Sequence, residues 1–129
     1  MKKKTKKLNF IIPLVIYPFD VMVSIGETHE ELNKRLKRYD ISLDQEESDH
    51  FDRTSLQGRT ILFPTGQTIL RLKKVPETPF EYGVLAHEIF HAATFILHRV
   101  GIKLELQTSD EAYSYLIGYL TAEIYIKIF

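Results

Sequence analysis

At 129 residues the chain has room for one hydrophobic core and not for two, and 17 basic residues balance 17 acidic ones, so no net field argues for nucleic acid or a membrane surface as partner. Cysteine is absent. That excludes a disulfide framework and thiolate metal sites, and any zinc must be held by histidine and carboxylate.

The opening, Met1 to Lys7, carries five lysines, and an apolar run from Leu8 to Ile25 follows it in the layout of a secretory signal. Asn9, Pro13, Pro18 and Asp20 interrupt that run and no small-residue cleavage site follows, so a cytoplasmic protein with no membrane partner is expected. Residues 1–8 read as a solvated, frayed basic tail, with a weak contact to nucleic acid or a protein partner as the alternative. From Val15 the odd positions Tyr17, Phe19, Val21, Val23 and Ile25 are all apolar while Asp20 and Ser24 fall between them, which predicts a strand.

Thr28 with Glu31 three residues on forms a capping box and starts a polar helix to about Tyr39, with Leu32 and Leu36 as its apolar seam. His29 falls in its first turn and is assigned no role. Between Asp40 and Gly58, Asp44, Glu46, Glu47, Asp49 and Asp52 face a single Arg53 without calcium-loop spacing. An exposed loop or short helix is expected there, with a flap over a cleft as the alternative. Gly58 to Lys73 reads as a hairpin, Thr60–Phe63 and Thr68–Leu72 about the turn Pro64–Gln67. It is either an ordinary pair of strands or an edge to which an extended peptide adds through its main chain.

Thr78, Pro79 and Glu81 supply a capping threonine, proline at the first helical position and glutamate at the third, so a helix begins here and runs to about Arg99, before Gly101. It carries His87-Glu88-Ile89-Phe90-His91, the H-E-x-x-H arrangement. The two histidines sit one turn apart, about 40° round the axis and roughly 6 Å along it, so their ring nitrogens can converge on one ion. Glu88 can then lie beside the ion's open position as a general base. Every variable position from Val84 to Ala93 is uncharged, as a helix buried on most sides requires. His98 continues the polar stripe of His87, His91 and Thr94 but lies about 10 Å beyond His91, too far to share its ion. It is read as a stripe or surface histidine, with polarisation of a substrate as the lesser reading. The metzincin pattern also fails, because Thr94 and Leu97 stand where glycine and histidine are needed.

A third ligand must come from elsewhere. The last helix, starting at Thr108 to Glu111, has an apolar face of Ala112, Leu116, Leu120 and Ile124. Packed antiparallel to the H-E-x-x-H helix, it could bring Glu111 to a His-His-Glu site, with Gly118 and Ala122 allowing close approach and Tyr115 orienting a ligand. The alternative gives Glu111 a capping role with Thr108.

Over Pro79 to Phe129 these residues resemble the gluzincins, the zinc peptidases of which thermolysin is the familiar member. The resemblance rests on His87, Glu88, His91 and the position of Glu111, and with strands and a helix before the motif the chain looks like compact single-domain zincins of phage and mobile-element type. It implies that His87, His91 and Glu111 bind Zn2+ and that Glu88 is the catalytic base. Two positions depart from the pattern: Asp110 stands where thermolysin-like enzymes have asparagine, and Tyr115 where they have aspartate. The donor that stabilises the transition state lies in those enzymes in a further domain. Tyr115, His98, Tyr82, Tyr119 and Arg71 are the candidates within this chain. The expectation is one α+β, zincin-like domain over 1–129, a small mixed sheet on the H-E-x-x-H helix and a ligand-bearing C-terminal helix. It would hydrolyse peptide bonds of a peptide or protein substrate. A structural or regulatory zinc module with little or no catalysis is the alternative.

Overall fold

The computed structural model describes residues 6–55 and 57–129. Four strands, β1 (Leu8–Ile12), β2 (Val21–Ile25), β3 (Gly58–Leu62) and β4 (Thr68–Leu72), form one mixed sheet in the order β1-β2-β4-β3. The β1/β2 and β3/β4 pairs are antiparallel, and β2 runs parallel to β4 at its centre. Four helices complete this α+β fold: α1 (His29–Leu36), α2 (Gln45–Arg53), α3 (Pro79–Arg99) and α4 (Asp110–Ile128). None of them is long and apolar enough to cross a membrane.

The central strands are buried on both faces because alternate residues feed two separate cores. Val21, Val23, Ile25, Leu70 and Leu72 pack under α3 and α4, whereas Met22 and Ile69 pack with Leu32 and Leu36 of α1 and with Ile41, Leu43 and Phe63. The sheet is therefore covered by helices on both sides. The far-side layer had no counterpart in the sequence reading, which packed the sheet on α3 and α4 alone.

Local chemistry fixes the helix ends. Both capping boxes form, Thr28 with Glu31 and Thr78 with Glu81, and Pro79 opens α3. Gly101 takes φ +84° just after α3, a conformation that costs glycine little. α1 continues through a turn of 3-10 helix, Lys37–Tyr39, to a left-handed Asp40. The acidic segment is a short helix, α2, anchored on the far face by buried Phe51 and Ser48.

Three sequence expectations need correction. The strand expected from Val15 begins only at Val21, and a strand that the sequence reading did not place, Leu8–Ile12, pairs with it; the stretch from Pro13 to Asp20 crosses between them, with Val15 91% and Ile16 81% exposed. Prolines at 13 and 18 deny ladder hydrogen bonds there, and alternation alone did not reveal it. The basic tail is shorter than expected, because Leu8 is already in the sheet and Lys7 Nζ lies 2.7 Å from Glu31; residues 1–5 of it lie outside the described residues. α4 starts after Ser109, whose hydroxyl turns back to the Lys103 carbonyl, so Thr108 is not its cap.

Candidate metal and hydrolytic site

α3 lies over β3 and β4, and its polar stripe emerges at the β3 edge of the sheet. His87 Nε2 and His91 Nε2 stand 3.0 Å apart, with ring centroids 4.6 Å apart and ring planes at 74°. A tetrahedral zinc held by both nitrogens at ordinary bond lengths would separate them by about 3.3 Å, so a small opening of the pair admits the ion. His87 is exposed and His91 half-buried, with the Phe95 ring stacked beside His91 at 6.3 Å.

Glu88 is 7% exposed and is held from the sheet. The Thr60 hydroxyl on β3 donates to Glu88 Oε1 at 2.8 Å and lies 3.1 Å from the Glu88 carbonyl oxygen. β3 comes this close because residue 58 is glycine: a Cβ there would stand 2.8 Å from Glu88 Cγ, 3.0 Å from Leu72 Cδ2 and 3.2 Å from Val84 Cγ1. Neither Thr60 nor Gly58 was identified from sequence as part of the site. Thr60 is 28 residues from Glu88 and carries no local signal, whereas a glycine opening a strand is itself a mark of close backbone approach.

A cleft of about 460 Å³ opens beside Glu88 and His87, walled by Gly58, Phe80, Gly83 and Val84, with Ser55 and Gln57 at its mouth. β3 pairs only with β4, so its other edge is unpaired within the sheet and flanks this cleft. Arg59, the next residue on β3, points to the other face of the sheet. Its hydrogen bond to Glu47 raises its pKa above the usual value against the opposing effect of burial, and the charges of Glu47 and Glu88 add to the rise.

Glu111 is not brought to the imidazole pair. It is exposed in the first turn of α4, and it lies nine residues before Leu120, about 180° round the helix from a side chain that is 1% exposed. Tyr113, Leu116, Leu120, Ile124 and Ile128 take the inward side, so the stripe of Glu111, Tyr115, Gly118 and Ala122 faces outward; a Cβ on Gly118 would meet nothing within 4 Å. The imidazoles also face away from α4. Tyr82 packs on Tyr125 and Phe129 at 5.8 and 6.2 Å, and His91, nine residues further along α3, is about 180° round from it. Among the described residues no three His, Cys, Asp or Glu side chains gather as a metal-holding group. Ser109 caps α4 without a side-chain hydrogen bond, so the capping role for Glu111 with Thr108 is not realised either.

The transition-state candidates are dispersed. His98 is exposed in the last turn of α3, and Tyr115 is 75% exposed on α4. The Tyr119 hydroxyl donates to the Pro13 carbonyl at 2.6 Å. Tyr82 belongs to the aromatic cluster with Tyr125 and Phe129. Arg71, 1% exposed, is locked on the far face: Nη1 donates to Ser48 Oγ at 3.0 Å, Nη2 to the Glu27 carbonyl at 3.3 Å, and the guanidinium lies 4.4 Å from the Phe51 ring centroid. Burial lowers its pKa from the usual guanidinium value, against the nearby charges of Asp52, Glu27 and Glu47.

What this chain supplies is therefore a converged imidazole pair, a tethered carboxylate next to it, a cleft and a free strand edge. Compared with family models, curated proteins and solved structures, the chain matches none.

Proposed function

We propose that the chain is a zinc-dependent peptidase of zincin-like, gluzincin type, in which His87 and His91 hold the metal and Glu88 is the general base. The observation that carries this reading is the 3.0 Å approach of the two Nε2 atoms beside a carboxylate fixed by Thr60. An Nε2–H···Nε2 hydrogen bond between the two rings accounts for this distance without an ion, and what favours a metal is the H-E-x-x-H spacing on a helix, which brings the same two nitrogens within one coordination sphere. A zinc ion there would supply an acidified water and polarise a carbonyl oxygen. Glu88 takes the proton from the attacking water and returns it to the leaving amine, and Thr60 holds the carboxylate in the wall of the cleft that His87 also lines. An extended peptide lies along the free edge of β3, with a side chain in the cleft by Phe80 and Val84.

The third donor is the demanding part of this reading. To bring Glu111 in, α4 must turn over and expose five buried side chains, at a cost on the order of 10 kcal/mol; the alternative donor comes from substrate or another chain. The outward placement of Glu111 favours a second reading, a zincin-like module that binds zinc weakly and acts by interaction without turnover.

Elemental analysis and hydrolysis of unfolded casein separate the two. The peptidase reading expects near-stoichiometric zinc in the wild type, loss of zinc in the His87→Ala, His91→Ala double variant, and loss of hydrolysis with zinc retained in Glu88→Gln. Zinc retained by Glu111→Ala assigns the third donor to something other than Glu111. A wild-type chain with zinc but no turnover supports the module, and a wild-type chain that takes up no zinc overturns both.

A further inference from the structure

We propose that the outward side of α4 is the contact between two copies of this chain. α4 is apolar on more than the face it gives its own core. Beside the buried stripe runs a second one, Ala112, Tyr115, Tyr119, Ala122 and Ile126, at alternating spacings of three and four, the seam by which a helix packs on another helix. Tyr115 is 75% and Ile126 68% exposed, Ala122 is exposed, and no position of the seam is charged. A helix apolar on this much of its circumference is normally covered all round.

The seam continues into a second apolar element. Val15 and Ile16, 91% and 81% exposed, protrude from the β1–β2 connection. Between them and Tyr115 and Tyr119 lies an apolar groove of about 430 Å³. Val15, Ile16, Tyr115 and Ile126 alone present on the order of 600 Å² of accessible, mostly apolar surface, at the upper end of what a monomer usually leaves in its largest patch. With the partly exposed remainder of the seam this approaches the roughly 800 Å² that each side of a standard interface covers.

The seam itself identifies the occupant. Laid antiparallel on a second copy about a two-fold axis between residues 120 and 121, it sets Tyr119 of one copy against Ala122 of the other and Tyr115 against Ile126, each pairing occurring twice. Large faces small at the centre, as interdigitating layers require. Shifting one helix by a heptad toward its N-terminus instead opposes Tyr119 to Tyr115 and Ala112 to Ala122, a clash beside a void, which disfavours that register. The protruding Val15 and Ile16 flank this seam and close over its sides. α4 lies toward β1 and the imidazole pair lies at the β3 edge, so pairing leaves both clefts open. The inference is independent of any catalytic role.

Sedimentation equilibrium on the full chain tests it. The wild type is expected at twice the 15.1 kDa chain mass, and Tyr115→Glu and Ile126→Glu at the single-chain mass with unchanged circular dichroism, since both side chains are exposed in the lone chain. Because the chain has no cysteine, Ala122→Cys gives one thiol, expected to crosslink to a second copy with a short bis-maleimide. A wild-type chain that stays monomeric at its solubility limit overturns the inference, as does a dimer that survives both glutamate substitutions or an Ala122→Cys chain that does not crosslink.

Discussion

The carboxylates of Glu27 and Glu88 are both sheltered from solvent, on different terms. Glu27, whose side chain is 3% exposed, accepts from Asn9 Nδ2 and Ser24 Oγ at Oε1 and from Arg35 Nε at Oε2, each at 2.7 Å. Its acceptor capacity is used to join β1, β2 and α1. Glu88, 7% exposed, has one side-chain donor among the described residues, Thr60, and faces a cleft next to two imidazoles. A saturated buried carboxylate holds a fold together; one left short of partners beside open volume retains lone pairs for a reaction.

Neutralising each carboxylate in turn breaks this comparison if it is false. Glu88→Gln is expected to lower casein hydrolysis by about 10² to 10⁴-fold, the usual contribution of a general base, with zinc content and the urea midpoint close to wild type. Glu27→Ala is expected to do the reverse. It leaves Asn9, Ser24 and Arg35 without their acceptor, and because Arg35 is 49% exposed and can turn to water, the loss should be about 2 to 3 kcal/mol of unfolding free energy, with zinc content unchanged. If Glu88→Gln unfolded the chain while leaving turnover per folded molecule intact, Glu88 would be a structural acid like Glu27.

The next effect is smaller and sharpens the same point. In Gly58→Ala the new methyl group falls within 3.0 Å of Glu88 Cγ, and Leu72 on the other side cannot retreat into a packed core. Overpacking of this kind costs about 1 to 3 kcal/mol, and the side chain free to yield is that of Glu88. Hydrolysis should therefore fall further than the stability loss accounts for, measured as turnover per folded molecule at a temperature well below the midpoint. Thr60→Val removes the tether and nothing larger, so about a tenfold loss is expected, recovered in Thr60→Ser.

These residues also mark where sequence stops informing structure. Thr28 with Glu31, and Thr78 with Pro79 and Glu81, were legible because a cap is made by residues three apart, and the convergence of His87 on His91 follows from one turn of helix. The Thr60 to Glu88 bond depends on the register of β3 against β4 and of the sheet against α3, neither written in any local pattern. Glu111 exposes a different ambiguity. α4 offers two apolar stripes, and spacing alone does not say which faces the core; the stripe of Tyr113, Leu116, Leu120 and Ile124 is bulkier than that of Tyr115, Gly118 and Ala122, so it is buried, and Glu111 goes out with the smaller one.

The smallest expected effect concerns the start of α3, which sets where Glu88 sits along the β3 edge. Glu81 accepts from the Thr78 backbone N–H in the capping box and lies 2.8 Å from Lys74 Nζ. The Lys74 hydrogen bond, with the backbone N–H groups of Glu77 and Thr78, holds its carboxyl below the usual carboxylate range, and burial opposes this only in part. A carboxylate whose pKa is depressed in the folded state stabilises that state above its unfolded value, near 4.5, and the contribution is lost as the pH falls through the lower folded value. The wild type should therefore lose stability relative to Glu81→Gln as a buffer is taken from pH 6 to below about pH 4, and the two urea midpoints should draw together there. Because the Glu81 side chain is held chiefly by its ion pair with half-exposed Lys74, salt should shrink the gap at pH 6, whereas Glu27 also accepts from the neutral Asn9 and Ser24, so the stability lost in Glu27→Ala should change less with salt. Equal salt sensitivity in the two variants would show that Glu27 is not sheltered from solvent, and the distinction between the saturated carboxylate and the available one would lose its physical basis.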